Sequence, residues 1–484
     1  MATKVDEILG TLALSEEKAA GVSQLRNDLK YGGKELPWRT DCFLVAWLQE
    51  ELSAAGLFDE AVLAALGSDI AGRMPFLKKM LTHDADYQRF VQKASPYLFF
   101  TGDDICYGTL EDFILSFGEA FERAGYRVIF QNRWKIPEDY AKRFNGRSYR
   151  AVFGMQDPLF SQKFDDGSYL LGKISAPFYF FSFDHPAGFY QTIINSPEDL
   201  TVLALDRYYA DYVRNYMHRK AVFFPPGGRR PEEVPLTFEE FKEKKLKENN
   251  FELSFVGSAG KMWSDYSDTF LQMDPVLYRI AKAFENRMIA ETDKPSEQVF
   301  LETAEAEHLI ELISNRDNFA KSFAEWVILE KSVAQKFRQL IIKELAGTGP
   351  EIHLYGDDWN IPGAKAHSKL PYDKIRDVYR SSWLSLNVMT WHKAGFTERI
   401  VEPQLQGSLV VTDSTEYLKE TYTDGEDIIL YDLSKESISE LGSRLKAVLS
   451  DKDRLLHMAW NGYRKAMKYH TWDARVEQFL KMTV

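Results

Sequence analysis

The stretch WLSLNVMTWHKAGFTERIVEPQLQGSLVVTD, residues 383–413, predicts the fold of this chain more clearly than any other. It begins and ends with apolar runs that have the composition of buried parallel strands. Between them lie a Gly-Phe pair, a short helix with Arg399 and Glu402, and a helix-ending Gly407. This order predicts a β-loop-α-β unit whose helix amino terminus has free N–H groups and a positive dipole for a phosphate. An ordinary buried βαβ unit with a coincidental acid is the alternative interpretation.

The composition predicts a soluble protein of two or three domains. The chain has 484 residues, 45% of them hydrophobic and 27% charged, which is too long for a single core. A net charge of −12 disfavours broad binding to nucleic acid or anionic membranes. Cys42 and Cys106 are the only cysteines, so a disulfide framework and a thiolate zinc site are not expected. The sequence has neither an apolar run of about 18 residues nor a signal-peptide core, which predicts a cytoplasmic protein.

The first part of the chain, residues 1–95, has helical patterns throughout. Runs such as FLVAWLQEELSAAGLF carry apolar residues at helical spacing. We interpret this part as a helical module. It could bind an acceptor or form an oligomer, or it could only cap the next domain.

Two series of short strand-like runs follow, and helical stretches separate most members of each series. Such alternation is typical of parallel, doubly wound sheets. The first series is 97–102, 126–131, 149–154, 178–183, 200–205 and 221–226, and the second is 251–257, 351–356, 383–388, 408–413 and 427–432. A stretch rich in Pro, Gly and charge lies between the two series and reads as a linker.

This pattern predicts an α/β protein with two Rossmann-like domains that face a cleft, where ligands bind at the carboxyl ends of the strands. The predicted divisions are a helical module 1–95, an N-terminal Rossmann-like domain 96–228, a linker 229–250, a C-terminal Rossmann-like domain 251–460 with a helical insertion 275–346, and a terminal helix 461–484.

Two loops of the second series are candidates for ligand contact. FVGSAGKMW follows its first strand, and there Gly257 allows a close backbone approach while Lys261 can meet a diphosphate. An ordinary turn is the alternative. In the next loop region, Trp359 and Tyr372 could form a wall of a base pocket, or could simply pack a helix against the domain.

The third candidate loop lies within the opening stretch. His392 and Lys393 follow the strand as cationic residues, and Thr397 is a plausible N-cap for the helix. Arg399 could bind phosphate bidentately, although a surface ion pair with a neighbouring glutamate is the alternative. Pro403 is awkward in so short a helix, because it removes one backbone hydrogen bond.

Acidic residues and a histidine follow strands of the first series. Asp103 and Asp104 come after the first strand, and Asp184 and His185 after the fourth. Any of them could act as a general base, and helix capping or a turn is the alternative for the aspartates. Motifs of zinc proteases, α/β hydrolases and classical dehydrogenases are absent from the sequence. We expect no metal, because basic side chains and a helix end can meet the phosphate charge.

The segment HKAGFTERIVEPQLQGSLVVTD resembles the nucleotide-sugar-binding element of GT-B glycosyltransferases of the glycosyl transferases group 1 type. The resemblance is closest to the bacterial branch that includes the CgeB-like spore-maturation proteins. Arg399 and Glu402 fall on the Arg and Glu of the family pattern, Gly407 on its closing glycine, and Thr412-Asp413 on its strand end. HTWDAR, residues 470–475, is similar to its C-terminal signature, and FYFFSFDHP, 178–186, to a strand of its first half.

This resemblance implies a transferase of the hexosyltransferase type with a GT-B fold. It would move a sugar from a nucleotide-diphosphate donor, with UDP-sugar favoured, to a glycan or protein acceptor, without metal or other cofactor. Glu402 would hold the ribose, and Lys261, Arg399 and the helix end with Gly395, Phe396 and Thr397 would meet the diphosphate. Ala394 stands where many retaining members have a glutamate, so the stereochemical outcome is not predicted. The rival functions are a nucleotide-sugar epimerase on the same fold and a catalytically silent binding protein.

Overall fold

The structure is a computed structural model, and it describes residues 96–102, 108–136, 144–260, 274–308 and 316–483. The predicted helical module 1–95 lies outside the described residues, as do Asp103, Asp104 and Lys261. The described residues form two compact units. The smaller contains 96–102, 118–136, 144–154 and 172–178, and the larger contains 108–117, 155–171 and the described residues of 179–483.

The first sheet has six strands in the order β2-β1-β3-β4-β5-β6. The strands are β1 Tyr97–Thr101, β2 Val128–Asn132, β3 Ala151–Met155, β4 Phe178–Ser182, β5 Thr201–Ala204 and β6 Lys220–Phe223. Strand β1 pairs in parallel with both β2 and β3, and β5 does so with β4 and β6. The burial of nearly every strand residue explains the continuous apolar runs in the sequence.

The second sheet also has six strands, in the order β12-β11-β10-β7-β8-β9. They are β7 Phe251–Val256, β8 Ile352–Tyr355, β9 Lys365–His367, β10 Ser382–Asn387, β11 Leu409–Asp413 and β12 Ile429–Tyr431. All of the pairs are parallel. Counted from β7, the order is that of a dinucleotide-binding fold, with the direction of winding reversing between β7 and β10. In such sheets ligands bind outside the carboxyl ends of the two strands at the reversal.

Helices connect the strands. They are α1 Thr109–Arg123, α2 Tyr190–Ile194, α3 Arg207–Tyr216, α4 Phe238–Glu248, α5 Pro275–Ala290, α6 Ser296–Ala306, α7 Arg316–Trp326, α8 Leu329–Thr348, α9 Tyr372–Arg380, α10 Glu398–Leu405, α11 Glu416–Thr421, α12 Lys435–Ser450, α13 Lys452–Tyr469 and α14 Trp472–Thr483. Of the helices in the described ranges, none combines the length and apolarity that a bilayer-spanning segment needs.

Aromatic rings fill the core of the smaller unit. Phe99 stacks on Phe153 with ring centroids 4.7 Å apart, and Phe121 of α1 lies 4.4 Å from Tyr97. All four rings are buried. Much of the high aromatic content of the chain therefore serves packing.

In the larger unit, an apolar cluster fixes α10 against the second sheet. Its buried members include Phe396, Ile400, Val401, Leu405 and Val410. Ile400, Val401 and Leu405 belong to the helix itself, so the helix cannot rotate without exposing them. Its amino terminus is thereby held at the carboxyl edge of the sheet, next to the end of β10.

The predicted α/β class is confirmed: the described residues contain two six-stranded parallel sheets with helices between the strands. Each predicted strand is present close to its predicted bounds. Strand β9 was not predicted, since its three residues, Lys-Ala-His, have no apolar pattern. The segment predicted as a linker, 229–250, is not irregular throughout, because it contains α4 with Phe241 and Lys245 buried on one face.

Candidate functional site

Two glycines bring the ends of β7 and β8 together, next to the reversal between β7 and β10. Gly257 has φ +153° and Gly356 has φ +155°, and a Cβ on Gly356 would lie only 2.4 Å from the carbonyl oxygen of Gly257. Trp359 donates its indole N–H to that same oxygen at 2.7 Å. The backbone that approaches Gly257 closely is that of Gly356, and Trp359, predicted as a wall of a base pocket, is bound to the same loop.

Arg338 of α8 contacts the Gly257 loop. Its Nη1 donates to the carbonyl oxygen of Ser258 at 2.9 Å, and its guanidinium lies 5.5 Å from the ring centroid of Phe255. No carboxylate among the described residues pairs with it, and its buried Nε has no hydrogen-bond partner there. Burial of the guanidinium and the nearby charge of Arg399 lower the pKa of Arg338 to about 9.

Arg399 completes a pair of cations at this edge. Its Nη1 lies 3.8 Å from the position that a Cβ on Gly257 would take. It also forms an ion pair with Glu398 at 3.4 Å, so the predicted surface pairing is present as well. The guanidinium groups of Arg338 and Arg399 are both positive, and each acts on the other in a partly buried place. They repel each other, and an anion between them would relieve the repulsion.

The helix that carries Arg399 begins and ends as the sequence predicts. Thr397 occupies the N-cap with an extended backbone, but its side chain makes no capping bond and its Oγ1 is buried without a partner among the described residues. At the other end, Gly407 has φ +79°, and the N–H of Ser408 donates to the carbonyl of Pro403 at 2.9 Å. This is the Schellman motif, which favours glycine at its left-handed position. Because the Thr397 side chain makes no capping bond, the first turn of the helix has no side-chain cap.

Glu402, predicted to hold a ribose, is buried in an ion-pair network. One carboxylate oxygen accepts a hydrogen bond from the backbone N–H of Arg229 at 2.8 Å. The other accepts a hydrogen bond from the Nε–H of Arg376 at 3.2 Å. Arg376 also pairs with Asp112 of α1. Burial raises the pKa of Glu402, although Arg376 and the Arg229 N–H oppose that shift. Both oxygens already have protein partners, so a ribose hydroxyl would have to share or replace one of them.

His392 is buried and is not the cation that the sequence predicted. Burial, followed by the charges of Arg399 and Lys393, lowers its pKa well below the usual value. Its Nδ1 has no partner among the described residues, and its ring lies 5.5 Å from that of Tyr209. The Lys393 ammonium donates to the carbonyl oxygens of Thr292 at 2.6 Å and of Thr390. The lowered pKa of His392 favours the neutral ring, and its buried Nδ1 is left without a hydrogen-bond partner among the described residues.

Asp206 and Gly395 fix the loop that carries these residues. Asp206, at the start of α3, accepts the N–H of Tyr208 and that of Ala394, each at 2.8 Å. Gly395 lies against the same turn, where an added Cβ would be 2.2 Å from the carbonyl oxygen of Leu205. Only glycine allows this approach. Gly395 therefore serves close backbone packing, and Asp206 is a site residue that the sequence did not reveal.

Two aromatic residues predicted to bind the donor lie in packed surroundings. Phe396 is fully buried and stacks on Tyr417 with centroids 5.3 Å apart. Its apolar ring therefore anchors α10 to the core. Tyr372 packs edge-on against Phe113 at 5.4 Å, and its buried hydroxyl has no partner among the described residues.

The candidate bases of the first sheet differ in accessibility. His185 is buried, its Nδ1 accepts the N–H of Ala187 at 3.1 Å, and its Nε2 lies 3.3 Å from Glu297 of α6. Both ring nitrogens are engaged, so this arrangement does not favour His185 as a base. Asp184 is exposed after β4, and it accepts one bond from the Gln156 side chain at 3.0 Å.

Sequence reasoning missed Arg338, Asp206 and Arg376. Arg338 and Arg376 lie on amphipathic helices, where an arginine usually faces solvent. Asp206 follows a strand and precedes a helix, which is a signal for a cap. Its second partner, Ala394, is 188 residues away. No local pattern identifies such a contact.

Comparisons with known proteins find one family model that is similar to part of the chain. A model of the family described as glycosyl transferase-like matches residues 335–481. A search of curated proteins finds no match.

Solved structures with a similar backbone fold include HepE of Anabaena in complex with UDP and glucose. It is 11% identical to this chain with a TM-score of 0.45, and the alignment covers 80% of this chain and 99% of HepE. An α-glucosyltransferase with UDP and DNA has 12% identity and a TM-score of 0.47, covering 81% and 100%. Sucrose-phosphate synthase of Thermosynechococcus elongatus has 11% identity and a TM-score of 0.42, covering 80% and 98%. The segment that matches the glycosyl transferase-like family contains Arg338, Arg399 and Glu402 of the candidate site.

Proposed function

We propose that this protein is a glycosyltransferase that takes a sugar from a nucleotide-diphosphate donor, with a UDP-sugar favoured, and passes it to a glycan or protein acceptor. The observation that carries the proposal is the cation pair Arg338 and Arg399 beside the Gly257 loop. Its place at the carboxyl ends of β7 and β10 is where an open α/β sheet binds its ligand. The family match over 335–481 supports the same reaction class.

The diphosphate would occupy the space around this cation pair. Arg338 has no carboxylate partner among the described residues, and a phosphate would supply the missing counter-charge. Charge-assisted bonds from guanidinium groups to phosphate are short and strong. The uncapped first turn of α10 adds backbone N–H groups of the same polarity. Together these groups would stabilise the charge that develops on the leaving diphosphate.

Other residues would bind the rest of the donor and activate the acceptor. Glu402 is our candidate for the ribose, reached by exchange with Arg229 or Arg376, and Trp359 and Tyr372 for the base. The unpartnered Nδ1 of His392 would accept a hydroxyl of the transferred sugar. Among the described residues, Asp184 is the accessible candidate for the base that deprotonates the acceptor. We propose a metal-independent reaction, because cationic side chains supply the charge that a metal would bring.

The phosphate site is tested by removing each guanidinium while keeping its bulk. We expect Arg338→Met and Arg399→Met each to weaken UDP-glucose binding by about 10- to 100-fold in calorimetric titrations. A hydrogen bond to a charged group contributes roughly 1.5–3 kcal/mol, and about 1.4 kcal/mol is tenfold in affinity. UDP should lose the same factor, whereas uridine should bind all variants alike because it has no phosphate.

The matched control is Arg279→Met on α5, an exposed arginine paired with Glu307, which should bind UDP-glucose like the unchanged protein. Unaltered affinity in both site variants would contradict the proposal. Glu402→Gln should lose donor turnover while the protein remains folded. Isomerised donor formed without any acceptor would instead indicate an epimerase, and binding without turnover in the presence of acceptor extracts would indicate a silent protein.

A further inference from the structure

A groove on the surface of α13 lies apart from the donor site. It has a volume of about 630 Å³, which falls in the range of small-molecule sites. One wall is a face of α13, and the opposite wall is the extended segment 234–236. The residues used below are Leu236, Trp460, Tyr463, Arg464, Lys468 and Tyr469.

The helix wall combines aromatic rings with cations. Trp460 and Tyr463 stack on each other with centroids 5.5 Å apart. The Arg464 guanidinium lies 5.9 Å from the ring centroid of Trp460, and the Lys468 ammonium lies 4.7 Å from that of Tyr469. Rings that carry cations on their faces present apolar edges and positive charge together.

The two cations have no counter-charge of their own. Arg464 and Lys468 form no ion pair with any described carboxylate, and they are one helical turn apart on one face, where like charges repel. Of the two acids that line the groove, Asp427 is already paired with Lys465. Glu426 is the remaining acid, so this end of the groove keeps a positive excess although the chain as a whole carries −12.

Exposed apolar groups rim the groove, and a buried tyrosine is among its lining residues. Leu236 is 81% exposed and Tyr469 is 51% exposed, which is unfavourable unless a ligand covers them. Tyr463 is buried, and its hydroxyl has no hydrogen-bond partner among the described residues. A ligand with apolar faces, hydroxyl groups and negative charge would match all of these features.

We propose that this groove is a second binding site for an anionic saccharide chain. The apolar faces of the sugar rings would cover Tyr469 and Leu236, a sugar hydroxyl would bind Tyr463, and carboxylate or phosphate groups would pair with Arg464 and Lys468. The choice of a saccharide rather than another anion rests on the proposed function. The inference that the groove binds an anionic ligand does not depend on that function.

The experiment is a calorimetric titration of the full chain with tetragalacturonate, and with maltotetraose as a neutral probe of equal length. No donor is present, so the result is independent of the donor site. We expect tetragalacturonate to bind and maltotetraose to bind at least tenfold more weakly. Added salt should weaken binding of the acidic probe, because screening reduces exposed charge interactions.

The double variant R464A/K468A should reduce the affinity for tetragalacturonate at least tenfold, and Tyr469→Ala should reduce it less. The matched control K446A/K481A removes two exposed lysines elsewhere, and it should leave binding unchanged. Equal binding of both saccharides, an unchanged affinity in R464A/K468A, or no binding of tetragalacturonate would each overturn the proposal. So would complete competition by inorganic phosphate, or binding to anionic vesicles without binding to the saccharide.

Discussion

At the scale of single residues, the candidate site depends on charged groups held in buried or half-buried places. Arg338 and Arg399 crowd together beside Gly257, and Asp206 is a buried acid whose oxygens accept only backbone N–H groups. Burial is the main cause that raises the pKa of Asp206 to about 6, with the Ala394 and Tyr208 N–H groups acting against it. A buried acid of this kind makes stability depend on pH.

We expect the protein to lose stability as the pH rises from about 4 to about 6. The pKa of Asp206 goes from its ordinary value of 3.8 to about 6 on folding, so within this window the folded state binds more protons than the unfolded state. Stability is then highest at the acid end and falls as the carboxyl ionises. The rise of the Asp206 pKa from 3.8 to about 6 limits the resulting change in unfolding free energy to about 3 kcal/mol.

The measurement is the free energy of unfolding in denaturant at several pH values, compared between the unchanged protein and Asp206→Asn. The difference between the two should vary by up to about 3 kcal/mol over this window, because asparagine does not titrate. The variant should itself be less stable by about 1–3 kcal/mol, since its amide cannot accept both backbone bonds. A difference that stays constant with pH would contradict the assignment.

At the scale of elements, helix α10 shows how a local signal and a packed face act together. Its end is fixed by a Schellman motif at Gly407, and its face by the cluster around Ile400 and Val401. Pro403 lies inside the helix without ending it, although its ring removes a backbone donor. The apolar face holds the remaining turns in place.

Gly407→Ala should destabilise the protein by more than Gly167→Ala. Both glycines have positive φ, +79° and +83° respectively, so either alanine costs roughly 1–2 kcal/mol from the left-handed conformation alone. A Cβ at position 407 would also lie 3.0 Å from a ring carbon of Phe241, whereas one at position 167 would meet nothing within 4 Å. Denaturant unfolding of the two variants measures the difference, and equal losses would show that the contact with Phe241 is unimportant.

At the scale of the whole molecule, a buried ion network ties distant parts of the larger unit together. Asp112 lies on α1, Arg376 on α9 and Glu402 on α10, and Arg229 belongs to the segment that leads towards α4. The Arg376 side chain is 12% exposed and that of Glu402 is 1% exposed. A network this well buried is costly to break at one member.

Arg376→Met should therefore cost about 3–5 kcal/mol of unfolding free energy, because it leaves the Glu402 carboxylate buried with only the Arg229 N–H as a partner. The double variant R376M/E402Q should recover part of that loss, since it removes the uncompensated charge. A double-mutant cycle that includes Glu402→Gln measures the coupling. Additive losses would show that the two side chains do not stabilise each other.

The sequence predicted the elements of the site better than its contacts. Gly257, Thr397, Arg399 and Gly407 lie where the strand and helix patterns placed them. His392, by contrast, was predicted as a cation and is neutral, because its pKa depends on burial and on charges from elsewhere in the chain. Phe396, predicted to belong to the helix end that meets the diphosphate, packs its ring in the core.

What the sequence determined by itself is the order of buried strands, the two parallel sheets and the short helix with its glycine end. These follow from residue periodicity and local backbone preference, which act within about ten residues. Only the tertiary structure decided that Arg338 meets Arg399, that Asp206 holds Ala394 and that Glu402 is bound by Arg376. Such contacts join residues 26 to 188 positions apart, and their strength comes from burial that only packing creates.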